Sequence, residues 1–143
     1  MLVESLHSLA AKNFFNKKSD PFVEIGLLRG GERERGSLLR FRNRTAKMNN
    51  VTDCEYDSYF PFFGGVCYNC DLVLSVFSDN KVTAKLIGSV VVPWVQYGAM
   101  KDREVRSFDC ELQGEFGKKD QDGKNKKERG TIKFKLQRVV KWE

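Results

Sequence analysis

The stretch that decides the fold is Lys17-Lys18-Ser19-Asp20-Pro21-Phe22-Val23-Glu24-Ile25, in which a turn ends at a proline and an apolar strand begins. Proline has a fixed φ angle and no backbone N–H, so it suits the first residue of a strand and not the middle. The apolar side chains of this strand are Phe22, Ile25 and Leu27. The turn holds the Asp20 carboxylate at the tip of a loop, where it could contact a cation or cap the turn.

Short β-strands are predicted on both sides of this stretch. Leu72–Phe77 and Leu86–Val92 are apolar and β-branched, and Thr131–Leu136 alternates strictly between apolar and polar residues. One or two helical turns are expected within Pro93–Asp102. Many short strands separated by loops rich in Gly, Asn, Asp and Lys predict an all-β, eight-stranded antiparallel β-sandwich with Greek-key connections. The other candidate strands are Leu2–Leu9, Phe22–Leu28, Leu38–Arg44, Tyr59–Phe63 and Val105–Leu112.

The composition indicates one domain spanning residues 1–143, with a flexible basic loop at residues 114–130. No apolar run is long enough for a transmembrane helix, and the N-terminus does not resemble a signal peptide. Four cysteines are too few for a disulfide scaffold, so a cytoplasmic location is expected. The net charge of +6 favours anionic partners, namely acidic lipid headgroups, nucleic acid or acidic protein surfaces.

A run of basic side chains lies in the third candidate strand. Because the arginines are spaced two residues apart, they point to one face of a strand. The guanidinium group offers phosphate oxygens a planar fork of donors. The pattern therefore predicts a docking site for anionic phospholipid or phosphoinositide headgroups, made of Arg40, Arg42, Arg44 and Lys47.

The alternative for this basic run is a solvated edge strand, where charge prevents edge-to-edge aggregation. The region of the fourth strand is acidic, with Asp53, Glu55 and Asp57. These residues are expected to neutralise the neighbouring basic strand in part, which argues against a strong lipid-binding surface. A nucleic-acid partner is not expected, since the basic strand lacks interleaved exposed aromatic residues and Phe41 should face inward.

No arrangement of residues favours an enzyme, and no catalytic residue is predicted. The one histidine, His7, lies in the first strand and has no obvious nucleophile or paired carboxylate by sequence. Cys67 and Cys70 form a lone C-x-x-C, whereas a structural zinc site needs four ligands. No cofactor is expected.

The order of these segments resembles that of C2 domains along nearly the whole chain. Ala11–Phe14 is similar to the end of the first strand, and Ser19–Phe22 to the start of the second. Leu72–Phe77, a loop with Asp79, and Leu86–Gly88 are similar to the fifth strand, the third binding loop and the sixth strand.

Finer details resemble the second C2 domain of the copine family. These details are the Ser-Asp-Pro-Phe sequence at 19–22, the segment Arg44–Asn50, Cys67 ahead of Asn69 and Asp71, and a lysine-rich tract before the final Gly130-Thr131 strand.

The resemblance raises the question of calcium, because C2 domains that bind calcium supply several acidic side chains from the first and third loops. Asp20 and Asp79 match two of these positions. Phe77 and Lys85 stand at others, and Lys81 lies in the same loop. Calcium takes about six to eight oxygen ligands. Asp20 and Asp79 are therefore only residual metal positions, and tight calcium binding is not expected.

We therefore expect a non-catalytic C2-type module that docks on anionic phospholipid membranes largely without calcium. Two alternatives stay open at this point. One is a degenerate C2 domain that acts as a protein–protein interaction module. The other is calcium-dependent phospholipid binding as in copines, in which backbone carbonyls assist Asp20 and Asp79.

Overall fold

The structure is a computed structural model that describes residues 1–7, 9, 19–29, 41–49, 51–61, 69–79, 83–114 and 129–139. Within these ranges the chain forms strands and one short helix. In chain order they are β1 (Leu2–His7), β2 (Pro21–Arg29), β3 (Phe41–Arg44), β4 (Cys54–Tyr59), β5 (Cys70–Asp79), β6 (Ala84–Val92), α1 (Trp94–Tyr97), β7 (Val105–Glu111) and β8 (Thr131–Gln137).

The strands form two antiparallel four-stranded sheets. We call the sheet with the order β3-β2-β5-β6 the front sheet, and the sheet with the order β4-β1-β8-β7 the back sheet. Side chains from both sheets, among them Val3, Ile25, Leu74 and Phe134, are fully buried in one hydrophobic cluster. Burying one such side chain contributes about 1.5–3 kcal/mol, so this shared core holds the sheets together. The predicted all-β sandwich is confirmed.

The alternation seen in the sequence explains which face of each strand is buried. In β8, Ile132, Phe134 and Leu136 are buried, whereas Lys133 and Gln137 are exposed. At the centre of the front sheet, β2 and β5 pair continuously from Pro21 opposite Ser78 to Arg29 opposite Cys70. Pro21 is the first residue of β2, as its chemistry predicts.

The fourth strand is Cys54–Tyr59, so the predicted strand Tyr59–Phe63 begins too late and is wrong at Phe60 and Pro61. Cys54 and Tyr56 pack toward the core, whereas Glu55 and Asp57 are exposed. Acidic residues have low strand propensity, which hid this alternation in the sequence. An edge strand tolerates them on its solvent face. Phe62 and Phe63 lie outside the described residues.

Other element bounds differ less from the prediction. β1 ends at His7, short of Leu9, and β5 continues to Asp79, which therefore lies in the strand and not in the loop after it. Helix α1 lies in the interval where a helical turn is predicted. No helix in the described ranges is long and apolar enough to cross a membrane. Residues 11–14, 38–40 and most of the basic loop, 115–128, are outside the described ranges.

Candidate functional site

The basic strand β3 lies at an edge of the front sheet and pairs with β2. Ile25 and Leu27, which belong to the core, lie opposite Asn43 and Phe41. Positions 42 and 44 therefore occupy the outer face of the sheet, as the two-residue spacing predicts. Arg40 lies outside the described residues, and of Arg42 only the backbone is described.

Arg44 is held over an aromatic pair on this outer face. Its Cζ lies 5.7 Å from the centre of the Phe22 ring. Phe22 stacks on Phe77, its partner across β2 and β5, with ring centres 5.5 Å apart. A cation–π contact at an exposed site contributes about 0.5–1 kcal/mol. The guanidinium group of Arg44 is thus positioned close to the sheet while the residue stays exposed.

Lys47 lies against the other end of β2, because the chain continues beside β2 after β3 ends. The Thr45 N–H donates to the Val23 carbonyl at 2.9 Å, and the Met48 N–H donates to the Pro21 carbonyl at 2.9 Å. This path brings Lys47 Nζ within 3.7 Å of Asp79 Oδ2. A predicted lipid-binding residue and a predicted residual metal position therefore form an ion pair.

Asp20 and Asp79 lie side by side through their backbones. The Asp79 N–H donates to the Asp20 carbonyl at 3.0 Å, and the Asp20 N–H donates to Ser78 Oγ at 3.0 Å. Of the neighbouring positions, Phe77 stacks on Phe22 and Lys85 is exposed. The described ranges contain no group of three or more His, Cys, Asp or Glu side chains that could hold a metal ion. Lys81 lies outside those ranges.

Two buried hydroxyl groups anchor this end of the front sheet, and the sequence analysis missed both. Tyr56 Oη donates to the Pro21 carbonyl at 2.9 Å, and Thr45 Oγ1 accepts from the Val23 N–H at 2.9 Å. Burial raises the pKa of Tyr56. In the sequence, Tyr56 stands between the two acidic residues Glu55 and Asp57. This alternation of polar and aromatic residues is the signal that could have identified Tyr56 as a core-facing residue.

The acidic residues near β4 do not lie beside the basic strand, so the expected neutralisation is wrong. Consecutive strands β3 and β4 belong to different sheets. The acidic residues share the outer face of the back sheet, on the far side of the sandwich. The charged residues of the described part of that face are Glu4, Asp53, Glu55, Asp57, Asp109, Glu111, Lys133 and Lys135. Two lysines minus six carboxylates leave this face with a net charge of −4.

His7 has partners that the sequence analysis did not identify. Ser5 Oγ lies 2.8 Å from His7 Nε2, and Asp53 Oδ1 lies 3.6 Å from His7 Nδ1. Ser5 and His7 are two residues apart in β1, so strand spacing alone could have revealed the first contact. The second distance exceeds that of a hydrogen bond, so the three side chains do not form a continuous hydrogen-bonded series, and Ser5 is only 7% exposed.

The cysteine residues of the described ranges are free thiols, Cys54, Cys70 and Cys110. Cys70 is buried, and Cys67, the other cysteine of the C-x-x-C sequence, lies outside those ranges. Burial raises the pKa of Cys54 and of Cys110. Both thiols are therefore held in the neutral, unreactive form.

Solved structures that resemble this chain include C2 domains. A C2 domain of plant extended synaptotagmin 1 has a TM-score of 0.61 and 18% identity, over 99% of this chain and 93% of its own. A structure described as a C2 domain has a TM-score of 0.56 and 16% identity, over 93% of this chain and 89% of its own. Human GIVD cytosolic phospholipase A2 has a TM-score of 0.62 and 10% identity, over 92% of this chain but 15% of its own.

No family model matches the chain, and no curated protein matches its sequence. The structural neighbours establish the fold, which is the C2-type β-sandwich. The finer resemblance to copines stays a prediction.

Proposed function

We propose that this protein is a non-catalytic docking module that binds anionic phospholipid membranes through the outer face of β3, largely without calcium. The observation that carries the proposal is the register of β3 on β2, which puts positions 42 and 44 on the outer face of the front sheet. Arg42 and Arg44, with Arg40 before them and Lys47 after them, would contact the headgroups. The cellular setting that fits this role is the cytoplasm, with peripheral association to a membrane.

The distribution of charge supports docking by this face. The chain carries a net charge of +6, whereas the described outer face of the back sheet carries −4, so the other residues together carry +10. An anionic membrane repels the acidic outer face of the back sheet, which favours docking by the opposite side of the sandwich. Each Lys or Arg near such a surface contributes about 1 kcal/mol, and the attraction falls off within a Debye length.

The residues around Asp20 and Asp79 do not fit a calcium site. The ammonium group of Lys47 lies 3.7 Å from Asp79, where it would repel a divalent cation. At the positions where calcium-binding C2 domains carry further acidic residues, this chain has Phe77 and Lys85. Calcium needs more oxygen ligands than two carboxylates provide. These features support docking without the metal.

The test is sedimentation with vesicles that contain phosphatidylserine, in chelator, at low and at physiological salt. The variant Arg42→Gln with Arg44→Gln should weaken binding by about 30-fold, because two charges contribute about 1 kcal/mol each. The matched control is Lys133→Gln with Lys135→Gln, which removes the same charge from the back sheet. Binding by the wild type should weaken as the salt concentration rises. The control variant should bind almost as tightly as the wild type at each salt concentration.

Equal loss in the two variants would show that net charge governs binding and not the basic strand. Binding that needs calcium would support the copine-like alternative, in which Asp20 and Asp79 hold the metal with backbone carbonyls. No binding under any condition would favour a protein-interaction module.

One observation favours that second candidate: Tyr59, on the edge strand β4, is 70% exposed beside an acidic surface.

A further inference from the structure

The ion pair between Lys47 and Asp79 joins three parts of the front sheet. Lys47 belongs to the segment after β3, Asp79 is the last residue of β5, and the backbone of Asp79 bonds to Asp20 just before β2. In the C2 fold this is the end where the residual metal positions lie. The ammonium group of Lys47 therefore provides a positive charge beside Asp79 that belongs to the chain itself.

The exposure of the two side chains makes the pair exchangeable. Lys47 is 40% exposed and Asp79 is 42% exposed, so water and a lipid headgroup can reach both. Exposed ion pairs of this kind contribute little to stability, because solvent screens them. A phosphate group could therefore compete with Asp79 for the same ammonium group.

We infer that Asp79 restrains membrane docking by holding Lys47, so that the ion pair and lipid binding are alternative uses of one ammonium group. This inference rests on the proposed function and adds a regulatory element to it. The backbone bonds of Thr45 and Met48 to β2 fix the path of the segment, which keeps Lys47 within reach of Asp79. Because Lys47 is attached to the chain, no metal is needed to offset the charge of Asp79.

The inference predicts that Asp79→Asn strengthens binding to phosphatidylserine vesicles in chelator. One additional lysine near the surface corresponds to an increase in affinity of about fivefold. In a Lys47→Gln background the same substitution should raise affinity by a smaller factor, because it then removes only the repulsion between the carboxylate and the lipid and releases no ammonium group. The matched control is Asp109→Asn, which breaks a pair of 4.0 Å with Lys133 on the back sheet and should leave binding unchanged.

A second measurement separates this inference from the proposed function. Urea unfolding of the wild type, Lys47→Gln, Asp79→Asn and the double variant forms a double-mutant cycle that reports the pair without lipid. Wild-type binding with an equal effect of Asp79→Asn in both backgrounds would overturn the inference and leave the proposed function intact. A cycle in which the two side chains destabilise each other would also overturn it, since the pair would then not form in solution. No binding by the wild type would reject both, even if the cycle showed coupling.

Discussion

Tyr56 shows how one buried hydroxyl supports the proposed docking face from the opposite sheet. Its Oη donates a hydrogen bond to the carbonyl of Pro21, which is the first residue of β2 in the front sheet. Tyr56 itself lies in β4 of the back sheet. The bond therefore crosses the core and ties the two sheets at the end where β2 begins. A buried carbonyl that loses such a donor costs about 1–3 kcal/mol.

Replacing this hydroxyl should destabilise the protein and change its response to alkaline pH. Tyr56→Phe should lower the free energy of unfolding by about 1–2 kcal/mol near pH 7. Burial raises the pKa of Tyr56 above the ordinary value of 10.0, so above that pH the folded state keeps a proton that the unfolded state has lost. The stability contributed by the protonated hydroxyl is thus complete below pH 10 and is lost as pH rises above it.

Urea unfolding between pH 8 and pH 11 measures both effects. The wild type should lose stability above pH 10 more steeply than Tyr56→Phe, so the two should converge. Tyr59→Phe is the matched control, because this tyrosine lies in the same strand and is 70% exposed. A parallel pH dependence in the wild type and Tyr56→Phe would show that the hydroxyl is not held as described.

At the scale of elements, β3 depends on a side-chain contact at its end. Thr45, directly after β3, accepts a hydrogen bond from the Val23 N–H at 2.9 Å in the interior. Thr45→Val keeps the shape of the side chain but leaves this donor without that partner. The expected cost is about 1–3 kcal/mol.

Thermal unfolding and amide exchange at Val23 test this prediction. The Thr45→Val variant should have a lower Tm and faster exchange of the Val23 amide. The control is Thr83→Val, an exposed residue whose hydroxyl lies 3.4 Å from the Ala84 carbonyl, and it should behave like the wild type. Unchanged exchange at Val23 in Thr45→Val would mean that the backbone pairing of β3 suffices without the side chain.

Local patterns in the sequence predicted the elements whose chemistry is local. Proline fixed the start of β2, and strict alternation identified β8. β4 was placed too late because acidic side chains conceal an edge strand from propensity rules. The contact between Ser5 and His7 could have been predicted, because residues two apart in a strand share one face.

The parts that could not be predicted depend on pairing between distant segments. Sequence neighbours β3 and β4 belong to different sheets, and only the long-range order of the strands shows that their charges face opposite sides. The pair of Lys47 with Asp79 likewise follows from the path of the chain beside β2. The two-residue spacing of the arginines is a local pattern, so the sequence alone could predict that they share one face. The register of β3 on β2 agrees with this for positions 42 and 44.

For the whole molecule, the main physical property is its charge asymmetry. The described outer face of the back sheet has a net charge of −4 within a chain of net charge +6. Sheets in a sandwich pack about 10 Å apart, and side chains add to the distance between their outer faces. The Debye length at physiological salt is about 8 Å, so a membrane at the front sheet is largely screened from the back sheet. The proposed docking should therefore depend on which face a charge occupies.

Removal of acidic charge from the back sheet tests this dependence. Glu55→Gln with Asp57→Asn removes two carboxylates from the exposed face of β4, which changes the formal net charge from +6 to +8. If net charge alone governed binding, affinity for phosphatidylserine vesicles would rise by about 30-fold, because each charge near the surface contributes about 1 kcal/mol. If the front sheet docks, these positions stay beyond a Debye length from the lipid, and affinity should change less than about twofold at physiological salt. The two expectations differ by more than tenfold, and at low salt the longer screening length should bring the variant closer to the net-charge result.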